Sequence, residues 1–217
     1  MKTKILILIL SVISIYLKAN DYKTYFYDND NNDDNDEIRT IFKPGTTGGY
    51  GSIFLQYSTL ANQDAVYIGG RGGWIIGHGF SIGFGGTGYF NKFINYSTDT
   101  VHNISGGHGG LCIEPIFLPR FPVNLAIPIF LGFGSVSQFE YLFSDFDNEY
   151  YRGYPLKSDT YFIIEPGAEI QFNLLKTVRF SIGISLPYTT KIDLEPYLSK
   201  YPFNNIKYNV RLTFGKF

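Results

Sequence analysis

The chain of 217 residues carries one cysteine, Cys112, so an internal disulfide framework is excluded. The distance of Cys112 from the N-terminus also excludes lipid attachment at a cysteine just after a cleaved leader, and a small packed residue is expected there. Neither sign of charge dominates: 18 Lys and Arg stand against 19 Asp and Glu, a net charge of −1, and nothing argues for a nucleic-acid partner. Past the N-terminus no stretch approaches the roughly 18 consecutive apolar residues of a membrane-spanning helix. The motifs HExxH, CxxC, GxSxG and the phosphate loop are missing, and the glycine-rich GGRGGWIIGHG from Gly69 alternates like a strand with no helix after it. A chain that spans a membrane without such helices spans it as a closed barrel.

What the chain has is alternation. In Val178 to Tyr188 the apolar side is Val178, Phe180, Ile182, Ile184, Leu186 and Tyr188, and the other side is Arg179, Ser181, Gly183, Ser185 and Pro187. That period belongs to a β-strand between two environments, and its length matches the roughly 9–11 residues that cross a bilayer core at a tilt. A soluble barrel turns its apolar face inward, whereas a membrane barrel turns it outward and fills its inside with small and charged residues. With 24 glycines and 18% aromatics, the composition suits a crowded interior and aromatic rims, and it favours the membrane barrel.

Residues 1–19 read as a secretory signal peptide, with Lys2 and Lys4 before the apolar run from Ile5 and Ala19 as the cleavage residue. Residues 20–47 read as an acidic disordered leader containing DNDNNDDNDE. Asp28, Asp30 and Asn32 copy the start of a calcium loop, but Asp33 stands where that loop needs glycine and no flanking helices are written, so neither a metal nor a cofactor is expected. Residues 48–217 then give about eight strands: Gly48 to Ser58, Asp64 to Gly77, Phe80 to Phe90, His108 to Phe117, Asn124 to Val136, Thr160 to Phe172, Val178 to Tyr188 and Ile206 to Lys216. After a first short connection at Thr59 to Gln63, on the side of the long ones, their connections alternate in length. His78–Gly79, Leu118 to Val123 and Asn173 to Thr177 are short, whereas Asn91 to Gly107, Ser137 to Asp159 and Thr189 to Asn205 are long. An all-β, eight-stranded antiparallel transmembrane barrel with short periplasmic turns and long extracellular loops is the expected architecture. Pro115, Pro128 and Pro166 fall inside strands and are expected to mark bulges or strand ends.

The stretches GGYGSIFLQYS, VYIGGRGGWIIGHGFSIGFGGTGYF and FIIEPGAEIQFNLLKTVRFSIGISLPY resemble small outer-membrane β-barrel proteins of Bacteroidota-type bacteria, from about Gly48 to the C-terminus. The resemblance implies an OmpA-like or OmpX-like eight-stranded barrel in the outer membrane of a Gram-negative bacterium, and no activity. Many such proteins end in Phe for recognition by the barrel assembly machinery. Here Phe217 is out of phase with the apolar face Ile206, Tyr208, Val210, Leu212 and Phe214.

If the apolar face meets lipid, the opposite face places Arg71, Glu114, Glu165, Glu169, Arg179 and Arg211 in the lumen. An eight-stranded barrel is just wide enough for side chains to fill, so a structural salt-bridge network is the favoured reading and a proton or ion path the sharper one. Trp74, Tyr67, Phe80, Phe90, Tyr89 and Tyr188 are candidate interfacial anchors. Aromatics of the long loops, among them Tyr197, Tyr201 and Phe203, can bind an extracellular partner or glycan or pack as a lid over the mouth. The only catalytic candidates are His102 and His108, with Ser97, Ser105 and Asp99 nearby in one loop or at its end. The favoured function is therefore structural or interactive at the surface. An outer-leaflet lipid-modifying enzyme and a soluble secreted barrel with an apolar ligand inside are the alternatives.

Overall fold

The computed structural model describes residues 47–60, 63–95, 100–142, 154–194 and 201–217. The signal segment, nearly all of the acidic leader with its calcium-like spacing, and Ser97, Asp99 and Tyr197 lie outside the described residues. In chain order the strands are β1 (Thr47–Leu60), β2 (Gln63–Ile76), β3 (Phe80–Asn95), β4 (Thr100–Phe117), β5 (Val123–Ala126), β6 (Ile129–Leu142), β7 (Tyr154–Leu175), β8 (Val178–Ser185), β9 (Tyr188–Thr189) and β10 (Lys207–Gly215). Each pairs antiparallel with its neighbour, and β1 closes the ring on β10 through Tyr50↔Gly215 to Tyr57↔Tyr208.

Ten strands make eight staves, because two pairs are halves of one. The pairs Ile113↔Ile129 and Ile116↔Ala126 keep one offset across the gap between β5 and β6, and β8 and β9 likewise continue each other along β7. The gaps are the work of proline. Ile127 N–H donates to the Pro115 carbonyl at 3.0 Å, Gly167 to Pro128 at 2.8 Å and Leu186 to Pro166 at 3.0 Å, and no proline can return the bond. Of the expected bulges or strand ends, Pro128 marks a strand end just before β6, whereas Pro115 and Pro166 lie within β4 and β7 and each removes one ladder bond without shifting the register.

The apolar face points outward. Ile53, Leu55, Ile68, Trp74, Phe84, Phe133, Ile170, Ile182, Ile184, Val210 and Phe214 are all exposed, while Ser52, Gln56, Ser81, Thr87, Gln171 and Ser181 are buried. Water would not leave such a belt bare, so this is a lipid-facing surface, and the soluble barrel with reversed facing is excluded. Above the belt the outward positions turn polar at Thr59, Asp64, Ser137, Ser158 and Thr160.

Two of the long connections expected from the sequence are shorter. Strands β3 and β4 stay paired to Asn95↔Thr100, and β6 reaches Leu142 while β7 starts at Tyr154. Hydropathy marks where the membrane ends, but backbone pairing continues past it once the register is set. At the opposite end the turn after β2 holds Gly77 and His78 at φ 60° and 63°, and the turn after β4 holds Leu118 at φ 56°.

Placing Arg on the lipid face at Ile182 should cost about 2–4 kcal/mol, whereas Thr160→Arg above the belt should cost about 0–1 kcal/mol. Urea titration in lipid vesicles measures both.

Candidate functional site

The lumen is the chemically rich part of the molecule, and strand alternation builds it. Arg71, Glu114, Glu165, Glu169, Arg179 and Arg211 all stand on inward positions, and five of the six are among the buried residues. Arg211 on β10 reaches across to Glu114 on β4 in a two-pronged pair, Nη1 to Oε2 at 2.7 Å and Nη2 to Oε1 at 2.9 Å. Its Nη2 also bonds Glu169 on β7. Arg71 on β2 adds a 3.3 Å bond to Glu114 and stands 3.6 Å from Glu169. Gln171 donates to Glu114 at 2.7 Å and accepts from Arg179 Nη1 at 3.0 Å. Four staves of the ring are thus tied through one point.

A second group lies nearer the outer end. Glu165 accepts from Lys207 at 2.7 Å, Ser185 at 2.6 Å and Gln56 at 3.1 Å, and the Lys207 ammonium stands 4.4 Å from the Tyr67 ring centroid. Sequence reasoning missed Lys207. The signal was present: it lies on the same side of β10 as Arg211, opposite the apolar positions. Arg179 has no such partner. Its Nε bonds Asn173 at 2.8 Å and its guanidinium lies 4.1 Å from the Phe217 ring. This explains the odd phase of Phe217, which belongs to the inward face.

Above the charges comes an aromatic layer. The Tyr89 hydroxyl can only donate to the Ser135 carbonyl, at 3.1 Å; Tyr161 donates to Tyr89 at 3.2 Å, which leaves His108 Nδ1 as the donor to Tyr161 at 3.1 Å. His108 is therefore a buried link in a one-way chain, not the rim residue expected of an enzyme, because its position on β4 has inward parity. His102 lies on the same strand, with Ser105 on the opposite face to His108. Tyr67 and Tyr89 are likewise lumen residues and not interfacial anchors, while Trp74 and Phe90 face outward. Glycine makes room for this layer: a Cβ on Gly106 would sit 2.5 Å from the Tyr89 hydroxyl, and one on Gly134 would sit 2.7 Å from Tyr161 Cζ.

The mouth is closed by the connection between β9 and β10. Ile192, Leu194 and Phe203 are fully or almost fully buried and pack with Leu60, Tyr67, Tyr89, Ile104, Val136, Tyr161 and Ile163. Phe203 is enclosed by Tyr89 and Tyr161, with ring centroids at 5.1 and 5.0 Å. Of the two expected roles for these aromatics, Phe203 takes the lid role and Tyr201 stays exposed. Polar bonds hold the segment to β7: Thr190 N–H donates to Phe162 O at 3.0 Å, Thr190 Oγ1 accepts from Phe162 N–H at 3.1 Å, and Asp193 N–H donates to Asp159 at 2.7 Å.

Among solved structures, a major outer membrane protein from Thermus thermophilus aligns with a TM-score of 0.54 at 9% identity, over 77% of this chain and 99% of that one. The fold is that of an outer-membrane β-barrel. Neisserial surface protein A aligns with a TM-score of 0.46 at 10% identity, over 78% of this chain and 96% of that one. Ail, the attachment invasion locus protein of Yersinia pestis, solved with the heparin analogue sucrose octasulfate, gives 0.44 at 13% identity, over 78% and 98%. No protein-family model and no curated protein sequence matches the chain.

Two outcomes follow for this barrel. Arg211→Met leaves two buried carboxylates short of their main cation and should destabilise by about 3–5 kcal/mol in urea. At the mouth, Asp159 lies beyond the lipid belt, and the N–H groups of Asp193 and Thr160 hold its carboxyl below the usual carboxylate range. A depressed carboxylate contributes its stability above the unfolded value, about 3.9, and loses it as pH falls through the folded value. Protease nicking of residues 190–205 should therefore rise below about pH 4, and Asp159→Asn should make it frequent at pH 7 as well.

Proposed function

We propose that the chain is a surface protein of the outer membrane of a Gram-negative bacterium and acts through its outer end, with the lumen as its structural core. The observation that carries this reading is the inserted connection: Ile192, Leu194 and Phe203 fill the mouth, and the charge groups fill the lumen beneath. Among the described residues the mouth and the lumen are filled by side chains, which favours a role at the outer surface over solute passage. The tethers to β7 hold Thr190 and Asp193 in place, which lowers the ordering cost of binding a protein or glycan there. The other partners on this reading are outer-membrane lipid at the belt and the barrel assembly machinery during insertion. The attribution to a Bacteroidota-type family stays a resemblance carried by glycine and aromatic alternation.

The lipid-modifying alternative has little support at His108. Its imidazole is committed to Tyr161 and ringed by Tyr89 and Phe130, and no serine or carboxylate bonds it among the described residues.

The proposal has two readouts. Wild-type protein in planar bilayers should show no discrete conductance steps, and neither should the triple variant Ile192→Glu, Leu194→Glu, Phe203→Ser, because the charge groups still fill the lumen beneath the mouth. On intact cells, Tyr201→Cys should react with a membrane-impermeant maleimide while the buried Cys112 stays unlabelled. Labelling only after the outer membrane is broken would overturn the surface assignment.

A further inference from the structure

The side-chain charge of the lumen does not balance. Arg71, Arg179, Lys207 and Arg211 face inward against Glu114, Glu165 and Glu169, an excess of one cation among the described residues. The excess is located at Arg179. All three carboxylates are engaged by Arg211, Arg71 or Lys207, whereas Arg179 meets only the neutral oxygens of Asn173 and Gln171 and the Phe217 ring. The nearest of those carboxylates in this network is Glu114, and Gln171 stands between it and Arg179 by bonding both.

Around that guanidinium the polar groups lack partners. Ser181 Oγ, Thr213 Oγ1, both side-chain polar atoms of Asn124, and Arg211 Nε are buried with no hydrogen bond. Ser181 is 0% exposed, Arg211 2%, Asn124 3% and Thr213 4%. Register brings them together. Thr213 lies opposite Arg179 and Ser181 opposite Arg211 across β10 and β8, Gln171 lies opposite Ser181, and Asn124 opposite Gln171. Directly opposed side chains of this kind start about 4.5–5.5 Å apart, which puts Thr213 beside Arg179 and Ser181 beside Arg211 and Gln171 at the turn end of the lumen, with Asn124 one strand farther on.

We propose that this cluster of unpartnered groups binds one small inorganic anion of the halide class, held by Arg179 with Ser181, Thr213 and the Asn124 amide as hydrogen-bond donors. Water satisfies the unpartnered atoms but leaves a buried cation without a side-chain counter-charge, which is the costlier state in a low-dielectric interior. An anion satisfies both requirements. The site is separate from the outer surface that carries the proposed function and does not depend on it.

Bromide tests the assignment, because it scatters anomalously and replaces chloride. Crystals of the full barrel grown in bromide should show one anomalous peak within hydrogen-bonding distance of Arg179, Ser181 and Thr213. In detergent, the temperature at which the folded gel band is lost should rise with bromide at constant ionic strength. Arg179→Gln should abolish that rise, and Ser181→Ala, which keeps every charge, should weaken bromide affinity by about tenfold or more, as loss of one bond to a charged group does. Peaks confined to the outer surface, an adventitious ion only, would overturn the proposal. So would a water at the site in bromide crystals, or a wild-type midpoint that ignores bromide. If Arg179→Gln does not fold, Ser181→Ala and the crystal decide it.

Discussion

The rest of the structure depends on Arg211. Its side chain is 2% exposed and lies between Glu114 and Glu169, three charges in a lumen too narrow for bulk water. Removing one partner strands the others, so the network is worth more as a constraint than as a sum of ion pairs. It fixes which face of β4, β7 and β10 turns inward, and a slip of one residue on any of them would send a charge into lipid and an outward-facing neighbour into the lumen. The outward belt and the inward charges are thus two expressions of one register.

With the register set, the remaining interior is filled in layers. Charges lie toward the turn end, a hydroxyl chain from His108 through Tyr161 and Tyr89 lies above them, and the inserted Ile192, Leu194 and Phe203 close the mouth. Large rings fit only where a neighbouring strand offers glycine, as Gly106 does for Tyr89. The prolines fit because a half-made pair costs one bond each while leaving the ladder in phase.

How much of this was legible follows from what alternation encodes. The strand Val178 to Tyr188 announced its facing, and the same parity put Arg71, Glu114, Glu165, Glu169, Arg179 and Arg211 on one side. Lys207 was equally legible from its parity with Arg211, although its place at the very start of β10 also suits a loop residue. Tyr67 and Tyr89 were misjudged because an aromatic near a strand end suits an interface or a lumen, and only parity against Ile68 and Phe90 separates them. The insertion of the last connection was not legible. Ile192, Leu194 and Phe203 have no period, and their burial depends on a cavity assembled from β1 to β7 far away in sequence. Strand ends beyond the membrane were hidden for a related reason, since pairing there is sustained by backbone bonds that leave no pattern in the side chains.

The central claim is that the apolar face meets lipid. The chain has a single tryptophan, Trp74, which is 60% exposed on that face, so its fluorescence tests the claim without any substitution. In vesicles whose acyl chains carry bromine, Trp74 emission should be blue-shifted and strongly quenched, and aqueous acrylamide should have little effect. Quenching by acrylamide together with indifference to brominated lipid would contradict the account and turn the barrel inside out.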